Sequence, residues 1–200
     1  MRDTPPFRRM GLVRTGDPSD PVRRFRLARL EDIAFGAPPA TLVLTAELDP
    51  ASASRVDALC RAHLSPDRNT VPAHLTLFHG LPAEGTAHDL QRLAWAPCAF
   101  AVTGLRRLGG GVAFEVRSPG LAALRDSLAR HWSPVLGAHD RRPFAPRITV
   151  HSRVEPARAA SLDASLGADF TPWTGSIGAL LLWRYQGGPW SLAARRALVA

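Results

Sequence analysis

Two short stretches, about seventy residues apart, have the same shape: VPAHLTLFHG at Val71–Gly80 and FAPRITVHSRV at Phe144–Val154. Each passes a proline and then alternates polar with apolar residues, as His74-Leu75-Thr76-Leu77 and as Arg147-Ile148-Thr149-Val150. Successive side chains of a strand point to opposite faces. His74 and Thr76 therefore share one face, and so do Arg147 and Thr149, each pair backed by apolar residues. A half-buried strand that lines a wet cleft has this pattern. A chain that carries it twice, in corresponding places, is constrained towards two similar halves.

The segments around the two motifs repeat in the same order. ATLVLTAEL (Ala40–Leu48) reads as a buried strand, and DPASASRVDALCRAHL opens a helix with an aspartate cap followed by proline. The His74 strand comes next, then a weak helix in AHDLQRLAW. CAFAVTGLRRL and GVAFEVRS flank a Gly109-Gly110-Gly111 turn and read as a hairpin. In the helix PGLAALRDSLARHWSPVL, Leu121, Leu124, Leu128 and Trp132 form one stripe. The Arg147 strand, a helix in EPARAASLDASL and two closing strands complete the chain. The expected fold class is therefore α+β, a bilobal arrangement of duplicated β-α-β units with pseudo-twofold symmetry. Two antiparallel-rich sheets line a central cleft, with the helices outside. The cleft between the motif strands is the natural ligand site. Residues 1–40, rich in Pro, Arg and Asp, read as a mobile leader. Residues 41–200 read as one domain with lobes of roughly 41–105 and 106–200, strand exchange between them being left open.

Charge narrows the ligand class. All 25 basic residues are arginine, against 17 acids, for a net charge of +8. The leader holds eight arginines and five acids, so most of the excess belongs to the folded part. That fits an anionic ligand such as a phosphate ester or nucleic acid, and equally a merely soluble basic surface. Two cysteines, Cys60 and Cys98, lie far apart without metal-type spacing and suggest a reducing compartment. Cys60, among Val56, Leu59 and Leu64, reads as a small buried hydrophobe. No apolar run is long enough to span a membrane, and the N-terminus lacks an apolar signal core, so a cytoplasmic protein is expected. There is no H-E-x-x-H motif and no Cys cluster, so no metal or cofactor is expected. LGGGV at Leu108–Val112 is a hairpin turn; no phosphate loop exists in a chain without lysine.

PAHLTLFHGLP, RPFAPRITVHSRV and LLWRYQGGPW (Leu181–Trp190) together resemble a known family, the two-histidine phosphoesterases. The closer similarity is to the bacterial branch called 2′-5′ RNA ligase family proteins, from about Thr41 to Trp190. Members pair two H-x-[ST]-x motifs across a cleft. The resemblance implies hydrolysis or transesterification of RNA 2′,3′-cyclic phosphates or related 2′-5′ linkages, without a metal. The implied partner is an RNA end or nucleotide, and a monomer with no membrane association is expected. Opening a cyclic phosphodiester needs a base for the incoming oxygen and an acid for the departing one, and histidine can be either near neutral pH. On this resemblance His74 is catalytic, and the hydroxyls of Thr76 and Thr149 hold the phosphate oxygens.

Arg147 stands where the family pattern calls for the second histidine. Arginine keeps its proton and cannot act as base, but it is a good bidentate donor to phosphate. Losing one proton-transfer partner costs about 10²–10⁴ in rate. By strict alternation His151 and Arg153 continue the face of Arg147 and Thr149, and both are candidate phosphate contacts. His151 lies about 13 Å along an ideal strand from the vacant position. His79, five residues after His74, falls on the opposite face and reads as structural. Trp183, Tyr185 and Trp190 can stack on a base or pack the closing hairpin. Three readings remain at this level: a weakened enzyme, a degenerate member that binds an RNA end without turnover, and an interaction protein that keeps only the fold.

Overall fold

The structure is a computed structural model that describes residues 41–199 except 64–70, 109, 153–154 and 186–189. The leader expected over residues 1–40 lies outside the described residues, as do Arg153 and the turn at Gln186–Gly188. Among the described residues seven strands and four helices follow one another as β1 (Thr41–Leu48), α1 (Pro50–His63), β2 (His74–Pro82), α2 (Ala83–Gln91), β3 (Cys98–Leu108), β4 (Gly111–Arg117), α3 (Pro119–His131), β5 (Arg147–Ser152), α4 (Pro156–Ala168), β6 (Trp173–Tyr185) and β7 (Ser191–Ala197).

The helices begin where local chemistry lets them. Asp49 caps α1: its carboxylate accepts the Ser52 N–H at 2.9 Å and the Ser52 hydroxyl at 2.7 Å. It also accepts the Ser176 N–H of β6 at 2.8 Å, which ties the helix to the sheet. Ser118 caps α3, accepting from Leu121 N while donating to Ala99 O of β3. Pro119 and Pro156 stand in the first turns of α3 and α4, where a missing N–H costs nothing. The weak helix α2 is broken near its start by Glu84 and Gly85, the latter at φ +80°. Glycine adopts that conformation without the steric cost of a side chain.

All strand pairings are antiparallel, in the order β1-β2-β5-β4-β3-β6-β7, with β1 also pairing β6. Six strands thus close a ring, and β7 adds to β6. Exchanging β1 with β4, β2 with β5 and β3 with β6 maps the ring onto itself. This is the pseudo-twofold axis expected from the repeated segments. It acts through exchanged strands: β3 leaves the first repeat to pair with β4, and β6 leaves the second to pair with β1. One leaf is β2-β1-β6-β7 and the other β5-β4-β3-β6, so each leaf draws strands from both halves of the chain. The N-terminal half of β6 pairs with β3 and its C-terminal half with β1 and β7, making β6 common to both leaves.

The central strand of each leaf explains the near-continuous apolar runs. On β1, Leu42, Leu44, Ala46 and Leu48 enter the main core with Val56 and Cys60 of α1. Val43, on the other face, packs with Leu181 and Trp183 in a second cluster, joined by Val71 and Trp190. Thr45 is fully buried there and accepts the Trp183 indole N–H at 2.9 Å, which satisfies both polar groups. The stripe expected on α3 is buried as Leu121, Leu124 and Leu128, with Trp132 beyond its end packing edge-on against Phe78.

Candidate active site

β2 and β5 meet at one residue pair, Leu75 opposite Ile148, both fully buried. In an antiparallel pair this register sets His74 beside Thr149 and Thr76 beside Arg147. The pseudo-twofold axis passes through that pair, so His74 and Arg147 are equivalent positions, as are Thr76 and Thr149. All four side chains line one cavity of about 1020 Å³. The sequence motifs are therefore brought together on one face, with their apolar partners behind.

Both motif strands carry a bulge, and the bulges are equivalent too. Between Leu44 and Thr45 of β1 the partner on β2 jumps from Phe78 to Thr76. Between Val112 and Ala113 of β4 the partner on β5 jumps from His151 to Thr149. An extra residue in one strand resets the alternation beyond it. Leu77 and Phe78 are consequently both buried, as are Val150 and His151. This corrects two expectations from strict alternation. His151 borders the cavity but is only 3% exposed, in phase with Phe78 rather than with Thr149. His79, expected on the opposite face from His74, is instead exposed and lines the same cavity.

His74 has a defined tautomer. Its Nδ1 lies 2.7 Å from the Pro72 carbonyl oxygen, which can only accept, so Nδ1 carries the hydrogen. In the neutral ring Nε2 is then the basic nitrogen. Burial lowers the His74 pKa below its ordinary value, opposed by the Pro72 carbonyl and the Asp57 charge, with His79 adding to the lowering. Asp57 also borders the cavity and accepts the Ala73 N–H at 2.9 Å, fixing the approach to the strand. Trp190 stands beside His74, ring centroids 5.7 Å apart, and touches Trp183 and Tyr185. Trp183 and Tyr185 thus do share a side, as their spacing predicts. Cys60 donates to Val150 O at 3.4 Å; burial, aided by the Asp57 charge, pushes its thiol up to about 11, so it is an inert wall residue.

Arg147 is half-buried, and among the described residues no carboxylate pairs with it. Its charge is left to a ligand or to water. Two further cavity residues escaped sequence reasoning. Arg125 of α3, 7% exposed, lays its guanidinium over Phe78 at 4.7 Å and beside Phe144 at 5.7 Å, and donates to the Asp140 carbonyl. Asp140, 4% exposed, accepts the main-chain N–H groups of His79 and Gly80 at 2.9–3.0 Å. Despite its burial these bonds and His79 hold its pKa below the ordinary value. Nothing in the local sequence AHDRRPF signals that a buried aspartate there serves a strand sixty residues earlier.

This fold is similar to those of several solved structures. E. coli LigT complexed with 3'-AMP superposes with a TM-score of 0.58 at 19% identity, over 82% of this chain and 100% of that one. TT0787 of Thermus thermophilus gives 0.56 at 19% identity, over 79% and 97%. E. coli LigT complexed with ATP gives 0.52 at 20% identity, over 81% and 99%. The sequence profile of the 2'-5' RNA ligase superfamily matches residues 48–189, and the chain belongs to that family. No functionally curated protein matches its sequence.

Proposed function

We propose that the chain acts on phosphodiester ends of RNA or nucleotides, opening 2′,3′-cyclic phosphates or handling related 2′-5′ linkages, through a single histidine. The observation that carries this reading is the Leu75–Ile148 pairing, which gathers His74, Thr76, Thr149 and Arg147 on one face of the cleft. His74 Nε2 takes the proton of the attacking water or hydroxyl as its oxygen bonds to phosphorus. The phosphorus–oxygen bond to one ribose oxygen breaks, and that oxygen collects its proton from solvent. Thr76 and Thr149 donate to the non-bridging oxygens, and Arg147 neutralises the charge that builds on them. Arg147 occupies the second histidine's place and donates no proton, so the reaction runs about 10²–10⁴ below a two-histidine site. Nucleotide binding by E. coli LigT in its complexes with 3'-AMP, NADP+ and ATP is consistent with such a ligand.

The test compares the native protein with Arg147→His and His74→Ala on a nucleoside 2′,3′-cyclic phosphate in chelator. Arg147→His should raise turnover about a hundredfold or more, and His74→Ala should abolish it. Undiminished turnover in His74→Ala would end the reading. Because Arg147 favours binding over proton transfer, a second reading is an RNA-end binder without turnover. It is selected if the native protein binds the nucleotide saturably but releases no product.

A further inference from the structure

The bulge that turns His79 into the cleft also brings it against the Gly137–Arg142 turn. There His79, His139 and Asp140 place one ligating atom each within 4.8 Å of one another. We propose that these three residues bind a zinc-class divalent ion in the wall of the cleft. The His79 and His139 rings meet at right angles with centroids 4.5 Å apart, and His79 Nδ1 lies 3.4 Å from Asp140 Oδ1. That separation is long for a hydrogen bond. It matches the edge of a tetrahedral site: bonds of about 2.0–2.1 Å put neighbouring ligands roughly 3.3–3.4 Å apart.

The carboxylate is already aimed. Asp140 Oδ2 accepts from Gly80 N at 2.9 Å, and the His79 N–H is shared between both oxygens at 2.9 and 3.0 Å. A carboxylate offers about four acceptor positions, so Oδ1 keeps one for an ion. The turn itself is fixed: Asp140 N and Arg141 N bond to Gly137 O, Arg141 donates to Leu136 O and Ser133 O, and Arg125 holds the Asp140 carbonyl. Hydrogen bonds of this kind orient ligating carboxylates. A main-chain clamp alone would account for Asp140, but not for two imidazoles gathered within 4.8 Å of its carboxylate.

Two imidazoles and one carboxylate suit zinc and similar ions and leave a fourth position open. His79 and His139 are both exposed and line the cavity, so that position meets the cleft. It would take water or an oxygen of an anionic ligand. Binding of the ion needs no turnover to be detected.

The experiment titrates the metal-free full chain with Co²⁺, read by the visible absorption of a low-symmetry site, and with Zn²⁺ by calorimetry. One equivalent should bind, with Zn²⁺ displacing Co²⁺. His79→Ala and His139→Ala should each weaken binding at least about tenfold with unchanged far-UV circular dichroism. Among the described residues the exposed His139 side chain makes only a ring contact with His79, so its variant does not threaten the fold. Absence of a saturable equivalent would overturn the proposal. So would equal affinity in either variant, which would place the ion on other side chains.

Discussion

At His74 the surroundings set both the tautomer and the charge of one side chain. The Pro72 carbonyl selects its tautomer, and burial keeps the ring neutral to lower pH than a free histidine. A base must be unprotonated, so the acidic limb of kcat/KM on a cyclic phosphate should have its midpoint below pH 6.5, the ordinary value. A midpoint at or above that value would remove His74 as the base. Stability follows the same sign. The unfolded histidine takes its proton first as pH falls, so the His74 contribution is full above the ordinary value and declines below it. Arg147 belongs to the same scale, because it has no carboxylate among the described residues to neutralise it. Arg147→Ala should cost a nucleotide about 1.5–3 kcal/mol of binding, the scale of a charge-assisted hydrogen bond. Equal dissociation constants for native and variant would discard it as a phosphate contact.

At the scale of the element, the paired bulges decide which histidines face the cleft. The period of two places His74 and Thr76 correctly, because both precede the bulge in β2. It misplaces His79 and His151, because both lie at or beyond one. The bulge in β5 depends on a close approach at Gly111, which pairs with Ser152; a Cβ there would overlap the His151 main chain. Gly111→Ala should destabilise the protein by about 1–3 kcal/mol, the usual range for overpacking, seen as a lower denaturation midpoint. An unchanged midpoint would mean that β4 and β5 separate at little cost. The helix cap at Asp49 was readable from Asp-Pro alone, whereas its third bond, to Ser176 of β6, was not.

At the scale of the whole molecule, exchange of β3 and β6 between repeats ties the leaves together. Neither leaf can lose its strands without opening the other, since β6 pairs with β3 at one end and with β1 and β7 at the other. Unfolding of the chain should therefore be one transition, with tryptophan fluorescence and far-UV circular dichroism giving the same midpoint in urea. Two separated transitions would show that the leaves unfold independently. Ile148 sits on the pseudo-twofold axis, where it closes the contact between β2 and β5. Ile148→Ala should cost about 2–5 kcal/mol, as removal of a fully buried branched side chain does, and should loosen the cleft floor with it.

The sequence by itself determined the duplication, the order of the elements, and the pairing of His74-Thr76 with Arg147-Thr149. Those features follow from local periodicity and turn chemistry, which need no knowledge of distant neighbours. Tertiary structure alone decided the strand exchange, the exposure of His79, the burial of His151, and the union of Asp140 with the end of β2. Bulges and long-range pairings arise from how a strand meets its partner, and a partner's register is not written in the strand.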